Sequence, residues 1–184
     1  VEAWRIRTGD LDAVPPPPGH MAFQATPILV DGVLVLPTPL GRVLALDPAT
    51  GAERWRFDAT GTERRYPEFT SRGVAAWLDS EAPPGAPCRR RIFAATFESR
   101  LFALDGATGK HCVDFGGDGE GSLREGVGEL HDWDYTITSP PSRARSNRSA
   151  PLVPKTATYT ELLCPTGQRD DWRAPSAPLR KRIV

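Results

Sequence analysis

The sequence predicts an all-β fold made of stacked four-stranded antiparallel units, a β-propeller present in part: about two complete blades with portions of two others. Three observations predict it. First, a 24-residue stretch occurs twice without a gap: Leu34 to Phe57 reads LVLPTPLGRVLALDPATGAERWRF, and Ile92 to Phe115, offset by 58, reads IFAATFESRLFALDGATGKHCVDF. Nine positions are identical, among them Thr38/Thr96, Arg42/Arg100, Asp47/Asp105, Thr50/Thr108 and Gly51/Gly109. An ungapped repeat at such a period means one supersecondary unit stacked on a copy of itself. Second, both copies carry an Asp-to-Gly tight-turn signature between alternating runs. Third, no segment shows a 3.6-residue period, and 19 Pro with 17 Gly argue for turns over long helices.

The elements follow in order. Ile28–Val30 and Val33–Leu36 are β-rich runs around Asp31-Gly32, a strong two-residue hairpin signal. Arg42–Asp47 alternates, with Val43 and Ala45 on one face and Leu44 and Leu46 on the other. Pro48 to Gly51 form a turn whose Gly supplies a positive φ, and Arg54–Phe57 returns as the next strand with Trp55 on one face. The second copy repeats the unit with strands at Gly73–Leu78, Arg91–Thr96, Arg100–Asp105 and His111–Phe115. Asp47 and Asp105 are expected to cap their turns by accepting backbone N–H bonds. Trp4 to Asp10 is expected to be the last strand of an earlier blade. A chain that starts at Val1 in mid-blade reads as a fragment.

Charge divides the chain. From Ser142 onward the alternation ends, and residues 142–184 hold nine Lys/Arg against three acids, a surplus of +6. The whole chain is formally neutral, so residues 1–141 carry −6. The tail's charges are scattered among prolines with no aromatic platform and no amphipathic face, so nucleic-acid binding is not expected. We read 1–141 as the propeller portion and 142–184 as an irregular basic tail, disordered or out of frame. No run of about 18 apolar residues exists to span a membrane.

Residues 1–141 resemble the quinoprotein dehydrogenases, β-propellers that bind pyrroloquinoline quinone, and most closely their membrane-bound glucose dehydrogenase-like branch. The matching pieces are AWRIRTGD (3–10), FQATPILVDGVLVLPTPLGRVLALDPATGAERWRFD (23–58), SRGVAAW (71–77), CRRRIFAATFESRLFALDGATGKHCVDFG (88–116) and YTITSPP (135–141). ALDPATGAERW (45–55) looks like the family's blade-closing motif, which implies that Trp55 packs between blades while the turn docks on its neighbour. Val113 stands where the second copy would carry that Trp, which implies weaker docking there.

In a propeller the first strand of each blade lines the axis, so residues entering that strand in successive blades converge. Gln24, Arg72 and Thr138 occupy those entrances, and the resemblance implies that they bind the quinone. Arg72 would pair a carboxylate with its planar guanidinium, Thr138 would bond through its hydroxyl, and Gln24 would meet a ring oxygen or carboxylate. The resemblance also implies calcium, but its ligands are not recognisable in this chain, nor is a catalytic aspartate. Tyr66-Pro67 stands where alcohol-type relatives have adjacent cysteines, and Glu68 where glucose-type relatives have His. The choice between aldose and alcohol therefore stays open.

Other motifs read as structural. Asp114-Phe115-Gly116 has no catalytic loop to accompany it, and Gly116–Gly121 opens no helix. His131 beside Asp132 and Asp134 reads as a polar loop cluster, and Asn147-Arg148-Ser149 fits a glycosylation sequon without context. Cys88 and Cys112 flank opposite strands of one blade and could bridge, which would imply an oxidising compartment. Cys164 is left over. Two functions remain. One is part of a quinone oxidoreductase acting on a sugar or alcohol, in the periplasm or anchored at its membrane, passing electrons to a respiratory quinone or cytochrome. The other is a non-catalytic propeller scaffold of the outer-membrane assembly type, which would need none of the three axial residues. On the first reading, this chain alone is expected to show no turnover.

Overall fold

The computed structural model describes residues 2–12, 20–59, 68–125 and 136–142. The strands are β1 His20–Thr26, β2 Ile28–Val30, β3 Val33–Pro37, β4 Arg42–Leu46, β5 Glu53–Asp58, β6 Glu68–Gly73, β7 Ala75–Leu78, β8 Arg90–Ala95, β9 Arg100–Asp105 and β10 Glu120–Ser122. Among the described residues the single helical element is a 3-10 turn at Asp10–Asp12. Tyr66-Pro67, His131, the sequon and the tail beyond Ser142 lie outside the described residues.

Each repeat copy folds into one four-stranded sheet, in the order β2-β3-β4-β5 and β7-β8-β9-β10. The first blade is antiparallel throughout, pairing Val30 with Val33 across the Asp31-Gly32 turn, where φ is +48° and +75°. The second blade differs from expectation at its fourth strand, which is Glu120–Ser122 and not His111–Phe115. After the Asp105–Gly109 turn the chain makes one bridge, Leu104 to His111. It leaves the sheet after Cys112, whose amide still donates to Ala103 O at 2.8 Å and which is bridged to Cys88 with Cα atoms 5.7 Å apart. Positive φ at Gly116, Asp118 and Gly119 reverses it, and β10 returns antiparallel to β9. Closing that 24-residue separation stabilises by about 3 kcal/mol.

The alternation in β4 sorts its side chains into two cores. Val43 and Ala45 join Val35 and Trp55 against Val74, Ile92, Ala94, Phe102 and Leu104 of the second blade, so this cluster is the contact between blades. On the opposite face Leu36, Leu44 and Leu46 are covered by Trp4 and Ile6. The segment carrying Trp4 packs as an earlier blade would, but is not itself a strand. A third cluster, with Trp77, Phe93, Leu101, Ala103 and Phe115, covers the far face of the second blade. Each fully buried aliphatic side chain contributes about 1.5–3 kcal/mol.

The same docking contact joins successive layers twice. The Trp4 indole donates to Pro48 O at 3.1 Å, and the Trp55 indole donates to Gly106 O at 3.0 Å. Pro48 and Gly106 are equivalent positions of the repeat. The ring lies flat on the turn's last glycine: a Cβ at Gly51 would meet Trp4 at 2.6 Å, and one at Gly109 would meet Trp55 at 2.5 Å. Both glycines also hold a positive φ, +72° and +71°, so only Gly fits on either ground. Val113, at the position equivalent to Trp55, is 71% exposed.

The turns are capped as expected. Asp47 Oδ1 accepts the amides of Ala49 and Thr50, and Asp105 Oδ1 accepts those of Ala107 and Thr108. Asp105 Oδ2 also accepts the Cys88 amide, tying the disulfide to the turn on which Trp55 sits. The Arg54 hydrogen bond, then the Thr50 and Ala49 amides, hold the Asp47 carboxyl at about 2. Burial pushes the Asp105 carboxyl up, but the Cys88 amide, the Thr108 hydroxyl and the Thr108 and Ala107 amides outweigh it and hold it low. Both folded-state values are depressed, so their stabilisation is present above the unfolded carboxylate pKa of about 3.9. It is lost as pH falls through the folded values. Acidification from about pH 4 to about pH 2 should therefore lower the melting temperature. Asp105→Ala should cost about 1–3 kcal/mol at neutral pH through its stranded donors and flatten that acid dependence. Thermal melts across this range check both.

Candidate functional site

β1 and β6 pair in parallel, because each is the lead-in to its own blade and both blades run the same way. The register sets His20 opposite Glu68, Met21 opposite Phe69, Ala22 opposite Thr70 and Phe23 opposite Ser71, then shifts before Thr26 meets Gly73. Thr70 reinforces the pair by donating its hydroxyl to Ala22 O at 3.0 Å. This parallel pair was not foreseen; the sequence indicated only residues approaching the blades.

Residues 136–142 lie on the other side of β6. The Arg72 amide donates to Thr138 O at 2.9 Å, and Pro140 lies against Gly73. Thr138 beside Arg72 and Pro140 beside Gly73 mean that this segment runs in the same direction as β6. Gly73 is squeezed between neighbours: a Cβ there would stand 3.3 Å from Pro140 Cβ and 3.5 Å from Thr26 O. Three consecutive blade entrances therefore stand side by side, and a glycine lets them close in.

Two of the three residues named from sequence are in direct contact. Arg72 Nη1 donates to Thr138 Oγ1 at 2.8 Å, in addition to the backbone bond between the same residues. Gln24, exposed on β1, falls within the register shift opposite Arg72 and reaches this level through strand pairing alone. Arg72 is exposed and Thr138 half-buried, whereas Thr70 and Ser71 beneath them are buried. Spacing could not reveal the Arg72–Thr138 bond, because 66 residues separate its ends. The guanidinium N–H groups not bonded to Thr138 and the Thr138 hydroxyl offer hydrogen-bond donors suited to a ligand bearing carboxylates or carbonyl oxygens, with the exposed Gln24 on the neighbouring strand.

The remaining polar groups are structural. His111 places Nδ1 2.7 Å from Asp118 O and packs its ring 5.2 Å from Phe57 and 5.8 Å from Phe102, joining the two blades. Asp10 was not singled out from the sequence. It is buried and accepts Thr38 Oγ1, the Leu40 amide and Arg42 Nη1 at 2.7–3.0 Å. The recurrence of Thr38 and Arg42 as Thr96 and Arg100 was the available signal. Among the described residues, no three His, Cys, Asp or Glu side chains gather as a metal site.

Gly73→Val should separate the segment bearing Thr138 from β6. The expected loss is about 1–3 kcal/mol from overpacking, with faster hydrogen exchange at the Arg72 amide in particular. Unchanged exchange at that amide would mean that the entrances do not meet at Gly73.

A family model described as "PQQ: Glucose/ethanol/alcohol dehydrogenase, beta-propeller domain" matches residues 1–147. Quinoprotein glucose dehydrogenase A of Acinetobacter calcoaceticus is 35% identical over 150 residues, which cover 75% of this chain and 19% of that protein. The glycerol dehydrogenase large subunit of Gluconobacter oxydans (strain 621H) is 35% identical over 130 residues, covering 68% of this chain and 18% of that one. Among solved structures, the quinohemoprotein alcohol dehydrogenase of Comamonas testosteroni aligns with a TM-score of 0.49 and 25% identity, over 67% of this chain and 16% of the other. The chain thus spans about a fifth of the length of these relatives.

Proposed function

Because the chain belongs to the PQQ-dependent glucose/ethanol/alcohol dehydrogenase β-propeller family, we propose that it is part of an oxidoreductase using pyrroloquinoline quinone to oxidise an aldose or alcohol. Electrons then leave to a respiratory quinone or cytochrome. The observation that carries this reading is the hydrogen-bonded Arg72–Thr138 pair at adjacent blade entrances. A scaffold has no need of an exposed guanidinium tethered there.

The donor set fits the quinone, which carries carboxylates on a flat ring system. When bound, the quinone supplies the two-electron acceptor. Arg72 would hold one of its carboxylates, since a guanidinium pairs with carboxylate in a fixed planar geometry. Thr138 and Gln24 would add hydrogen bonds that fix the ring's orientation. Calcium, which the family resemblance also implies, finds no cluster of three potential ligands among the described residues, and no step is assigned to it. The Cys88–Cys112 disulfide supports the periplasm as the working compartment, because such bridges persist in oxidising surroundings. No described helix is long and apolar enough to cross a membrane.

Titration of the 184-residue chain with pyrroloquinoline quinone, followed by quenching of tryptophan fluorescence, tests the reading. Binding should be weak, because Arg72 and Gln24 are exposed and water screens their contacts. Arg72→Ala should weaken it by about tenfold or more, the worth of a charge-assisted hydrogen bond. Equal affinity in wild type and Arg72→Ala would place the cofactor elsewhere.

A further inference from the structure

We propose that the Cys88–Cys112 disulfide is a thiol–disulfide exchange site, entered at the Cys88 sulfur by an anionic thiol of the glutathione class, and that opening it loosens the turn on which Trp55 docks. Cys88 lines a cleft of about 650 Å³ with Asp31, Leu78, Arg89, Lys110 and His111. The cleft lies beyond the C-terminal end of β7, the end away from Arg72. Cys88 is half-buried and Cys112 fully buried, so a thiolate in the cleft reaches one sulfur and not the other. Access is one of the factors that decide which sulfur of a disulfide is attacked. The acids here are already engaged: Asp31 takes two hydrogen bonds from Arg90, and Asp105 accepts the amides of Cys88 and Thr108. That leaves Arg89, whose Nε donates to Ala82 O at 2.8 Å, and Lys110 as cations toward an incoming anion. Cations beside a sulfur favour the thiolate, the reactive form.

In the first step the incoming thiolate bonds to Cys88 Sγ, the Cys88–Cys112 bond breaks, and its electron pair leaves on Cys112, which takes a proton from water. A second thiol then displaces Cys88 from the mixed disulfide, so two small thiols become one disulfide and the chain gains two thiols. The structural consequence starts at the Cys88 backbone. Its φ of +57° is a left-handed conformation that a residue other than glycine keeps only where its surroundings impose it. The bridge imposes it together with the Cys88 amide bond to Asp105 Oδ2. With the bridge open, Cys88 relaxes toward extended backbone and its amide leaves Asp105. That carboxylate caps the turn of residues 105–109, which presents Gly106 O and Gly109 to the Trp55 indole. In the first turn Asp47 Oδ2 takes Arg54 instead, so only the second turn is coupled to a cysteine.

Two measurements on the oxidised 184-residue chain test this, with Cys164→Ser removing the third thiol. In the first, the folded chain is treated with reduced glutathione, quenched in acid, denatured, alkylated and mapped by mass spectrometry. The first adduct should carry glutathione on Cys88 and the alkyl label on Cys112. Glutathione on Cys112, or a folded chain that stays oxidised under conditions that reduce the denatured one, would overturn the entry at Cys88. Lys110→Gln should slow the reaction with glutathione about threefold and leave that with neutral 2-mercaptoethanol unchanged. Equal rates for wild type and Lys110→Gln with both thiols would overturn the preference for an anion. In the second, hydrogen exchange is compared before and after reduction by dithiothreitol at two equivalent amides. These are Gly109, bonded to Asp105 O, and Gly51, bonded to Asp47 O, both at 2.8 Å. Reduction should speed exchange at Gly109 about tenfold or more and leave Gly51 within about twofold. No change at Gly109 would overturn the coupling, and equal acceleration at both would show that the bridge holds the whole fold and not this turn.

Discussion

The architecture depends on one contact, the indole laid flat on the last glycine of the next layer's turn. Trp55 reaches across to Gly106 O and covers Gly109 at a distance that excludes any side chain. That contact brings the two sheets face to face and buries Val35, Val43, Ile92, Phe102 and Leu104 between them. Trp4 makes the same contact with the first turn, so the rule repeats along the chain. The turn must be rigid to receive a ring, and the Asp47 and Asp105 caps supply that rigidity. Blade stacking in turn sets the lead-in strands side by side, which is what gives Arg72 and Thr138 neighbours at all.

The fold was legible where local chemistry agreed with global packing. The Asp31-Gly32 hairpin, the two Asp-to-Gly turns and the two faces of β4 all follow from patterns of a few residues. The fourth strand of the second blade was not legible, because Glu120–Ser122 carries no apolar alternation and pairs only through the preceding reversal. His111–Phe115 looked like a strand because its first-copy equivalent is one. With Val113 in place of Trp55 and Cys112 bound to Cys88, it leaves the sheet instead. The disulfide could be seen as an option in the sequence; its bond to the Asp105 turn through the Cys88 amide could not.

Of the candidate site, sequence reasoning could name positions but not their geometry. Repeat logic and resemblance pointed to Gln24, Arg72 and Thr138, one per blade entrance. That Arg72 and Thr138 touch, and that Gly73 lets their strands approach, depends on the separation between layers, which no pattern along the chain encodes. The small residue at position 73 was the one sequence signal of close approach. The contact also gives Thr138 a partner within the chain, the Arg72 guanidinium.

A double-mutant cycle between Trp55 and Gly109 tests the central claim most directly. Trp55→Ala, Gly109→Ala and the double variant would be unfolded with denaturant and their stabilities compared. Trp55→Ala should cost about 3–5 kcal/mol. With the indole gone, Gly109→Ala should retain only the strain of its positive φ and so cost at least about 1 kcal/mol less than in wild type. Strictly additive losses would contradict the account, since they would mean that the ring and the glycine do not meet.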